Sequence, residues 1–178
     1  MTNRIKVLGI NIDPLTMRET VDAVERYVLG KRALHLMGVN ADKINQCHTD
    51  EKIKKIVNDS GIINADGASV VLASKFLGTP VPERVAGIDL MQSLLELSNK
   101  KGYSVYFFGA KEEVLQDMLK AFKNDYPNLI VVGYRNGYFS ADDEQDIQED
   151  IREKNPDFVF VGITSPKKEY IIQKFMDN

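Results

Sequence analysis

The chain has 178 residues, of which 43% are hydrophobic and 28% charged, and its formal net charge is −3. This length suits one domain with a sizeable core, and the composition excludes a disordered or fibrous protein. A net negative charge gives no general attraction to phosphate backbones, so we expect no nucleic-acid partner. The single cysteine, Cys47, excludes an internal disulfide and a thiolate metal site, which fits a reducing cytoplasm.

Neither the N-terminal segment nor the length of the apolar runs indicates export or membrane insertion. The N-terminal segment MTNRIKVLGINI is too short and too interrupted by polar residues for a secretion signal. No apolar run approaches the roughly 20 residues that span a bilayer. We therefore expect a cytoplasmic protein whose contact with a membrane is at most peripheral.

Short apolar runs alternate with helical patterns along the chain. The predicted strands are 5–10, 33–37, 61–64, 103–108, 129–132 and 158–161. The predicted helices are 17–29, after 40 through 48, 51–58, after 69 through 76, from about 89 to 100, 112–124, 142–154 and from 167 onward. Thr16 and Glu19 form a T-x-x-E capping box at the start of the first helix.

This alternation predicts an α/β fold. Several of the strands are apolar throughout, which is typical of a mainly parallel sheet covered by helices on both faces. We predict a Rossmann-like three-layer domain with a mainly parallel sheet. No internal repeat or linker interrupts the pattern, so the prediction is a single domain over residues 1–178.

The turns that follow the strands are the first places to search for a ligand site, because open α/β sheets bind ligands beyond the carboxyl ends of their strands. Five such turns carry glycine, amide, carboxylate or basic groups, and we expect them to bind phosphate and sugar. They are Gly38-Val39-Asn40, Asp66-Gly67, Gly109-Ala110-Lys111, Asn136-Gly137-Tyr138 and residues 162–168. The predicted substrate-binding residues are Gly38, Gly109, Ala110, Gly137, Tyr138 and Lys168.

Each polar position also has an ordinary structural interpretation. Asp66 either caps the helix after it or acts as a general base. Arg84 either holds a phosphate or forms a surface ion pair with Glu83 or another acid. The turn at Gly109-Ala110 either presents helix N–H groups to a diphosphate or is glycine-rich for close packing.

Aromatic and basic residues near the later turns leave similar alternatives open. Tyr138 either stacks on a nucleotide base or fills space under a loop. Lys167 and Lys168 either bind phosphate at a helix start or are solvated. His35 and His48 lack the spacing of metal ligands, so we predict structural roles for both and no metal site. Without G-x-G-x-x-G or a P-loop motif, we predict no dinucleotide cofactor.

The chain resembles the WecG/TagA/CpsF family of glycosyltransferases over nearly its whole length, and seven ordered segments carry the resemblance. They are V-N-A-D-K, D-G-A-S-V-V, P-E-R-V-A-G-I-D-L, Y-F-F-G-A, Y-P-N-L-I-V-V-G, N-G-Y-F and V-G-I-T-S-P-K-K-E-Y. The most specific parts are Asp-Gly after the third strand and P-E-R-V-A-G.

The resemblance implies a reaction and its residues. The expected reaction transfers an N-acetylmannosamine-type sugar from a UDP donor to a polyprenyl-diphosphate-linked sugar, at the cytoplasmic membrane face, during synthesis of teichoic acid or another cell-wall or surface polysaccharide. It is inverting and needs no metal. By resemblance Asp66 is the general base, Asn40 an active-site amide, Arg84 a diphosphate contact and Tyr138 a base contact. An aspartate beside a cationic arginine stays ionised at neutral pH, as a base must.

The chain also departs from the family pattern. The family often has Thr-x-Asn at Gly38-Val39-Asn40 and Pro-Lys-Gln-Glu at 166–169. It normally continues with a glycine-rich strand, a Phe-Asp segment and a basic appendage, so this chain is expected to be either a truncated fragment or a naturally short protein. A missing strand would expose apolar surface, which predicts a homo-oligomer.

Two other functions remain as alternatives. One is a catalytically weak remnant of the family that binds a nucleotide sugar or a partner. The other is a nucleotide-dependent oxidoreductase, which the missing dinucleotide motif disfavours. Binding of UDP without binding of NAD would distinguish them.

Overall fold

The computed structural model of the protein describes residues 3–177, which form seven strands and eight helices. In chain order these are β1 (Ile5–Val7), β2 (Ile10–Ile12), α1 (Met17–Leu29), β3 (Leu36–Val39), α2 (Ala41–Thr49), α3 (Glu51–Asp59), β4 (Ile62–Ala65), α4 (Ala68–Phe76), α5 (Gly87–Lys101), β5 (Ser104–Gly109), α6 (Glu112–Asp125), β6 (Ile130–Arg135), α7 (Glu144–Lys154), β7 (Phe158–Gly162) and α8 (Lys167–Met176). The described chain divides into two compact units, the first of residues 3–90 and 169–177 and the second of residues 91–168.

Parallel pairing predominates in these two units. In the first unit β3 pairs with β4 in parallel, and β1 pairs with β2 in antiparallel. In the second unit β5 is the central strand, with β6 and β7 parallel to it on either side. The α/β class with mainly parallel sheets, as expected for a Rossmann-like three-layer domain, is therefore confirmed. The assignment of residues 1–178 to one domain stays a prediction.

The first predicted strand is wrong, because residues 5–10 form part of a hairpin. β1 and β2 pair from Ile5 opposite Ile12 to Val7 opposite Ile10. Between them Leu8 has a φ of 49° and Gly9 a φ of 83°. Two successive positive φ angles are typical of the tight turns that join antiparallel strands. The apolar side chain of Leu8 hides this turn from the hydrophobic pattern.

The second predicted strand is displaced toward the C-terminus. It begins at Leu36 rather than at residue 33, and it includes Gly38 and Val39, which the sequence pattern placed in a turn. Gly38 pairs with Asn64 and Val39 with Ala65 in β4. The strand ends there because the next residue, Asn40, is the N-cap of α2.

The apolar side chains of the first unit form one buried cluster. Strands β1 to β4 contribute one face of it, and helices α2 to α4 pack against them. Its buried members are Val7, Ile10, Ile12, Met37, Val39, Ile44, Cys47, Ile53, Val57, Ile63, Ala65, Val70 and Val81. Burial raises the pKa of the Cys47 thiol, which keeps it an uncharged part of this core.

The core of the second unit is built around β5, whose residues from Val105 to Gly109 are buried. The Phe107 ring stacks on the Phe160 ring in β7, with ring centroids 5.6 Å apart. The buried Tyr106 hydroxyl donates to Asp150 Oδ2 at 2.6 Å. Lys154 and this hydroxyl lower the pKa of the Asp150 carboxyl, so the Tyr106 hydroxyl meets a charged acceptor.

Two further expectations concern the helices. The predicted capping box is present, because Thr16 Oγ1 accepts from the Glu19 N–H and the Glu19 carboxylate accepts from the Thr16 N–H. These bonds lower the pKa of Glu19. Between residues 3 and 177, no helix combines the length and the apolar character needed to cross a membrane.

Asp13 connects the hairpin to β4. Its main-chain N–H donates to Ile63 O at 2.8 Å, and its carboxylate accepts from Ile63 N–H at 2.8 Å. Arg4 donates to the same carboxylate at 3.2 Å and to the carbonyls of Ser60 and Gly61. Asp13 is 6% exposed and Ile63 is fully buried, so the two bonds between them form away from water.

We predict that Asp13→Ala lowers the free energy of unfolding by about 2–3 kcal/mol, because it leaves a buried N–H without its acceptor. Urea denaturation followed by circular dichroism measures the change. Asp22→Ala, at an exposed position of α1, is the control and is expected to change stability by less than about 0.5 kcal/mol. Equal effects of the two substitutions would contradict this role of Asp13.

Candidate functional site

The ends of β3 and β4 are joined by main-chain hydrogen bonds. Val39 O accepts from Asp66 N–H at 2.9 Å and from Gly67 N–H at 3.2 Å. A β-carbon on Gly67 would lie 3.1 Å from Asn40 Cα, so the two chain segments are in close contact. The first unit therefore places Asn40 and Asp66 side by side at the carboxyl edge of its parallel pair.

Asn40 is exposed and is the N-cap of α2. Its Oδ1 accepts from Lys43 N–H at 2.9 Å. Since a main-chain N–H needs an acceptor, this bond identifies the oxygen of the side-chain amide. Within residues 3–177 the Asn40 Nδ2 group has no hydrogen-bond acceptor. It is a donor available to an oxygen of a ligand.

Asp66 does not cap the helix that follows it. The N-cap of α4 is Gly67, so the cap of this helix has no side-chain hydrogen bond. Within the described part of the chain, no group donates to the Asp66 carboxylate. A β-carbon at Gly38 would lie 3.1 Å from Asp66 Oδ2, and one at Gly87 would lie 3.7 Å from it. The carboxylate thus stands between two glycines, with its lone pairs available.

Arg84 approaches the same turn from the segment before α5. Its Nε donates to the main-chain carbonyl of Asp66 at 2.7 Å, not to the carboxylate. The alternative pairing with Glu83 does not form, because the Glu83 carboxylate instead accepts from Met17 N–H. Arg84 is exposed, so its terminal nitrogens are accessible to an anion.

The second unit groups three of the other predicted residues by main-chain contact. Ala110 N–H donates to Gly162 O at 3.1 Å, and Gly137 N–H donates to Ala110 O at 2.8 Å. Gly109 has a φ of 143°, and a β-carbon on it would lie 2.4 Å from Gly162 O. Close packing of three chain segments therefore explains the glycine at position 109.

The first turn of α6 is less suited to an anion than the sequence pattern indicated. Glu112 and Glu113 both lie in it, where their charges oppose a diphosphate. Glu112 Oε2 accepts from Asn136 Nδ2 at 3.1 Å. Bonds from Gln116 and Asn136 lower the pKa of Glu112, which stays charged. Lys111, the N-cap residue, is the nearest basic group in the sequence.

Tyr138 and Lys168 occupy different settings in the second unit. Tyr138 is 68% exposed, so its ring is accessible to a ligand and does not fill space under the loop. Its neighbour Phe139 packs against Phe108, with ring centroids 5.3 Å apart. The Lys167 ammonium lies 3.6 Å from the centre of the Phe139 ring. Lys168 N–H donates to Thr164 O at the start of α8.

Sequence reasoning missed one residue at the Asp66 turn, Gly87. Val85 N–H donates to Ala65 O at 2.9 Å, which brings the segment before α5 alongside the end of β4. Gly87 is the last residue of P-E-R-V-A-G, but a glycine in a sequence motif carries no signal of which carboxylate it will face.

The first unit also has a cavity of about 310 Å³, which is separate from the turn at Asn40 and Asp66. It is lined by residues that precede β3 and β4, including Leu34, His35, Ser60 and Gly61. It therefore lies at the opposite ends of these strands from Asn40 and Asp66. His35 is buried there, and Ser60 Oγ lies 3.4 Å from its Nδ1.

Among the residues from 3 to 177, no cluster of three His, Cys, Asp or Glu side chains could hold a metal ion.

These features define a class of protein: an α/β protein with a carboxylate, an amide and a guanidinium gathered beyond the ends of parallel strands. The sequence profile of the glycosyl transferase WecG/TagA/CpsF family matches residues 5–178. The chain belongs to this family.

Two relatives of this chain have the same name, N-acetylglucosaminyldiphosphoundecaprenol N-acetyl-beta-D-mannosaminyltransferase. The chain is 33% identical to the protein from Bacillus spizizenii over 124 residues, which are 70% of this chain and 48% of that protein. It is 30% identical to the protein from Staphylococcus aureus strain NCTC 8325 over 170 residues, which are 94% of this chain and 66% of that protein. The chain thus spans about half to two thirds of the length of the curated relatives it matches.

We predict that Gly109→Ala destabilises the second unit by about 3 kcal/mol or more, because its β-carbon would overlap Gly162 and its φ is positive. Native-state hydrogen exchange of the β5 amides measures the loss. Gly162→Ala is the matched control on the other side of the contact. Its nearest neighbours would lie 3.9 Å away, so it should have little effect. Similar effects of both substitutions would contradict the packing interpretation.

Proposed function

We propose that this protein is a glycosyltransferase that moves an N-acetylmannosamine-type sugar from a UDP donor to a polyprenyl-diphosphate-linked sugar. The observation that carries the proposal is the Asp66 carboxylate, which has no hydrogen-bond donor among residues 3–177 and lies between two glycines beside Asn40. Family membership and the names of the two relatives support the sugar and the acceptor. Cell-wall polysaccharide synthesis, including that of teichoic acid, is the corresponding process.

In the proposed reaction Asp66 is the general base. It takes the proton of an acceptor hydroxyl as the hydroxyl oxygen bonds to the anomeric carbon of the donor sugar. The bond between that carbon and the UDP oxygen breaks in the same step, and UDP leaves with the bonding electrons. Attack opposite the leaving group inverts the anomeric configuration. The free lone pairs of Asp66 suit this role better than those of a capped carboxylate would.

Asn40 and Arg84 are proposed to orient the donor. The Asn40 Nδ2 group donates to a sugar or phosphate oxygen while Oδ1 remains engaged by α2. The Arg84 Nε is fixed on Asp66 O, so its terminal nitrogens are held near the same turn for the diphosphate. A fixed guanidinium loses less freedom on binding than a mobile one.

The residues of the second unit are proposed to bind the nucleotide. Tyr138 presents an exposed ring for stacking on the base. Lys168 supplies a positive charge for phosphate, and the main chain at Gly109, Ala110 and Gly137 forms the rigid platform from which Tyr138 projects. No metal or organic cofactor is assigned a role.

The proposed location follows from the acceptor. A polyprenyl diphosphate is anchored in a bilayer, so the protein must meet the membrane surface at its cytoplasmic face to act on it. Homo-oligomer formation is also proposed, because large apolar side chains such as Phe76, which is 84% exposed, need a covering surface.

We predict that Asp66→Asn lowers the rate of sugar transfer by about 10²–10⁴-fold, because the amide cannot accept the hydroxyl proton. The assay follows labelled N-acetylmannosamine from UDP onto an N-acetylglucosaminyl-diphospho-lipid acceptor. Asp22→Asn, on the exposed face of α1, is the control and should retain full activity.

Two results would contradict the proposal. Full transfer activity of the Asp66→Asn variant would show that Asp66 is not the general base. Binding of the UDP-sugar by the wild-type chain without any transfer would favour a sugar-binding protein over an enzyme.

A further inference from the structure

We propose that Lys43 and Glu169 are positioning residues, which act through their ion pair to hold Asn40 in place for the substrate. This inference rests on the proposed function, because it assumes that Asn40 touches the donor. Neither Lys43 nor Glu169 has a role in the proposed chemistry.

The pair is buried. Lys43 Nζ donates to Glu169 Oε1 at 2.7 Å, and the side chains are 8% and 0% exposed. Gln46 Oε1 also accepts from Lys43 Nζ, at 3.2 Å. The two charges are 126 positions apart in the chain and join α2 to the first turns of α8. The exposed pairs Lys55–Asp59 and Lys120–Asp117 contrast with it, since their side chains are more than half exposed.

A second bond fastens the other end of α2 to the same part of α8. Tyr170 Oη donates to Asp50 Oδ2 at 2.6 Å, and Asp50 is both the C-cap of α2 and the N-cap of α3. This bond lowers the pKa of Asp50. Glu169 and Tyr170 therefore hold the two ends of one short helix.

Lys43 links this clamp directly to Asn40. Its main-chain N–H is the group that Asn40 Oδ1 accepts from, at 2.9 Å. The same residue thus has its ammonium fixed by Glu169 and its N–H fixed on Asn40. Asn40 lies beside Gly67, because a β-carbon on Gly67 would be 3.1 Å from Asn40 Cα, so a displaced α2 would move Asn40 relative to Asp66.

Stability alone is a weak reason for such a pair. Burying two charges costs desolvation energy that their attraction only partly offsets, and replacing both by apolar side chains is often neutral or stabilising. Removing one partner, in contrast, leaves a buried charge and destabilises strongly. What an apolar pair lacks is the directional bond, which fixes the helix in one position.

The main test replaces both charges with apolar side chains, Lys43→Met with Glu169→Leu. We expect this double variant to unfold within a few degrees of the wild type, since about the same volume stays buried. We expect kcat to fall by about 10–100-fold with KM for the UDP-sugar changed less than about threefold, because misplacing a substrate-orienting group impairs the transition state. The exposed pair Lys120→Met with Asp117→Leu is the control and should leave kcat unchanged.

A double-mutant cycle tests whether the effect passes through Asn40. In an Asn40→Ala background, the Lys43→Met and Glu169→Leu changes should lower kcat by less than about twofold further, because residues that act through one another are not additive. A full additional loss in that background would overturn the proposal. The proposal would also be overturned if the wild type is active and the Lys43→Met, Glu169→Leu double variant has the same kcat.

Hydrogen exchange provides a readout that does not depend on activity. The Lys43 amide, protected by Asn40 Oδ1, should exchange about tenfold faster in the double variant, while amides of β4 keep their protection. Glu169→Gln, which keeps the shape of the side chain, should also speed exchange at Lys43. Unchanged exchange in both variants would overturn the positioning role. Absence of transfer by the wild type would instead contradict the proposed function. Hydrogen exchange at the Lys43 amide would then decide whether the ion pair positions Asn40.

Discussion

The carbonyl of Val39 fixes the geometry on which the candidate site depends. It accepts hydrogen bonds from the N–H groups of both Asp66 and Gly67, at 2.9 and 3.2 Å. Because β3 and β4 run in parallel, their carboxyl ends meet there, and Asn40 and Asp66, which follow them, become neighbours although they are 26 positions apart in the sequence. A β-carbon on Gly67 would lie 3.1 Å from Asn40 Cα, so glycine at position 67 permits this close approach.

The polar groups at this edge divide their hydrogen-bonding capacity between structure and chemistry. Asn40 uses its oxygen to cap α2 and keeps its amide hydrogens for a ligand. Arg84 uses Nε to hold the Asp66 main chain and keeps its terminal nitrogens. The Asp66 carboxylate accepts no hydrogen bond within the described part of the chain, and a carboxylate free of donors is suited to accept a proton from a substrate.

The sequence was sufficient to predict most of the helices and strands and the edge at which Asn40 and Asp66 meet, because apolar periodicity is a local signal and the carboxyl ends of parallel strands lie together. The hairpin at Leu8-Gly9 escaped because its turn has an apolar first residue rather than asparagine or aspartate. The sequence indicates close packing at Gly109-Ala110 as one of two alternatives, but not that the partner is Gly162. The pairing of Lys43 with Glu169 could not be predicted, since no local pattern indicates which distant charge a buried lysine will meet.

Calorimetric titration of this chain with UDP-N-acetylmannosamine, and separately with NADH, tests the central claim that the α/β fold carries a nucleotide-sugar site. The account predicts saturable binding of one UDP-sugar per chain and no binding of NADH. Failure to bind the UDP-sugar, or equal binding of NADH, would contradict it, because the polar edge formed by Asn40, Asp66 and Arg84 would then lack the specificity assigned to it.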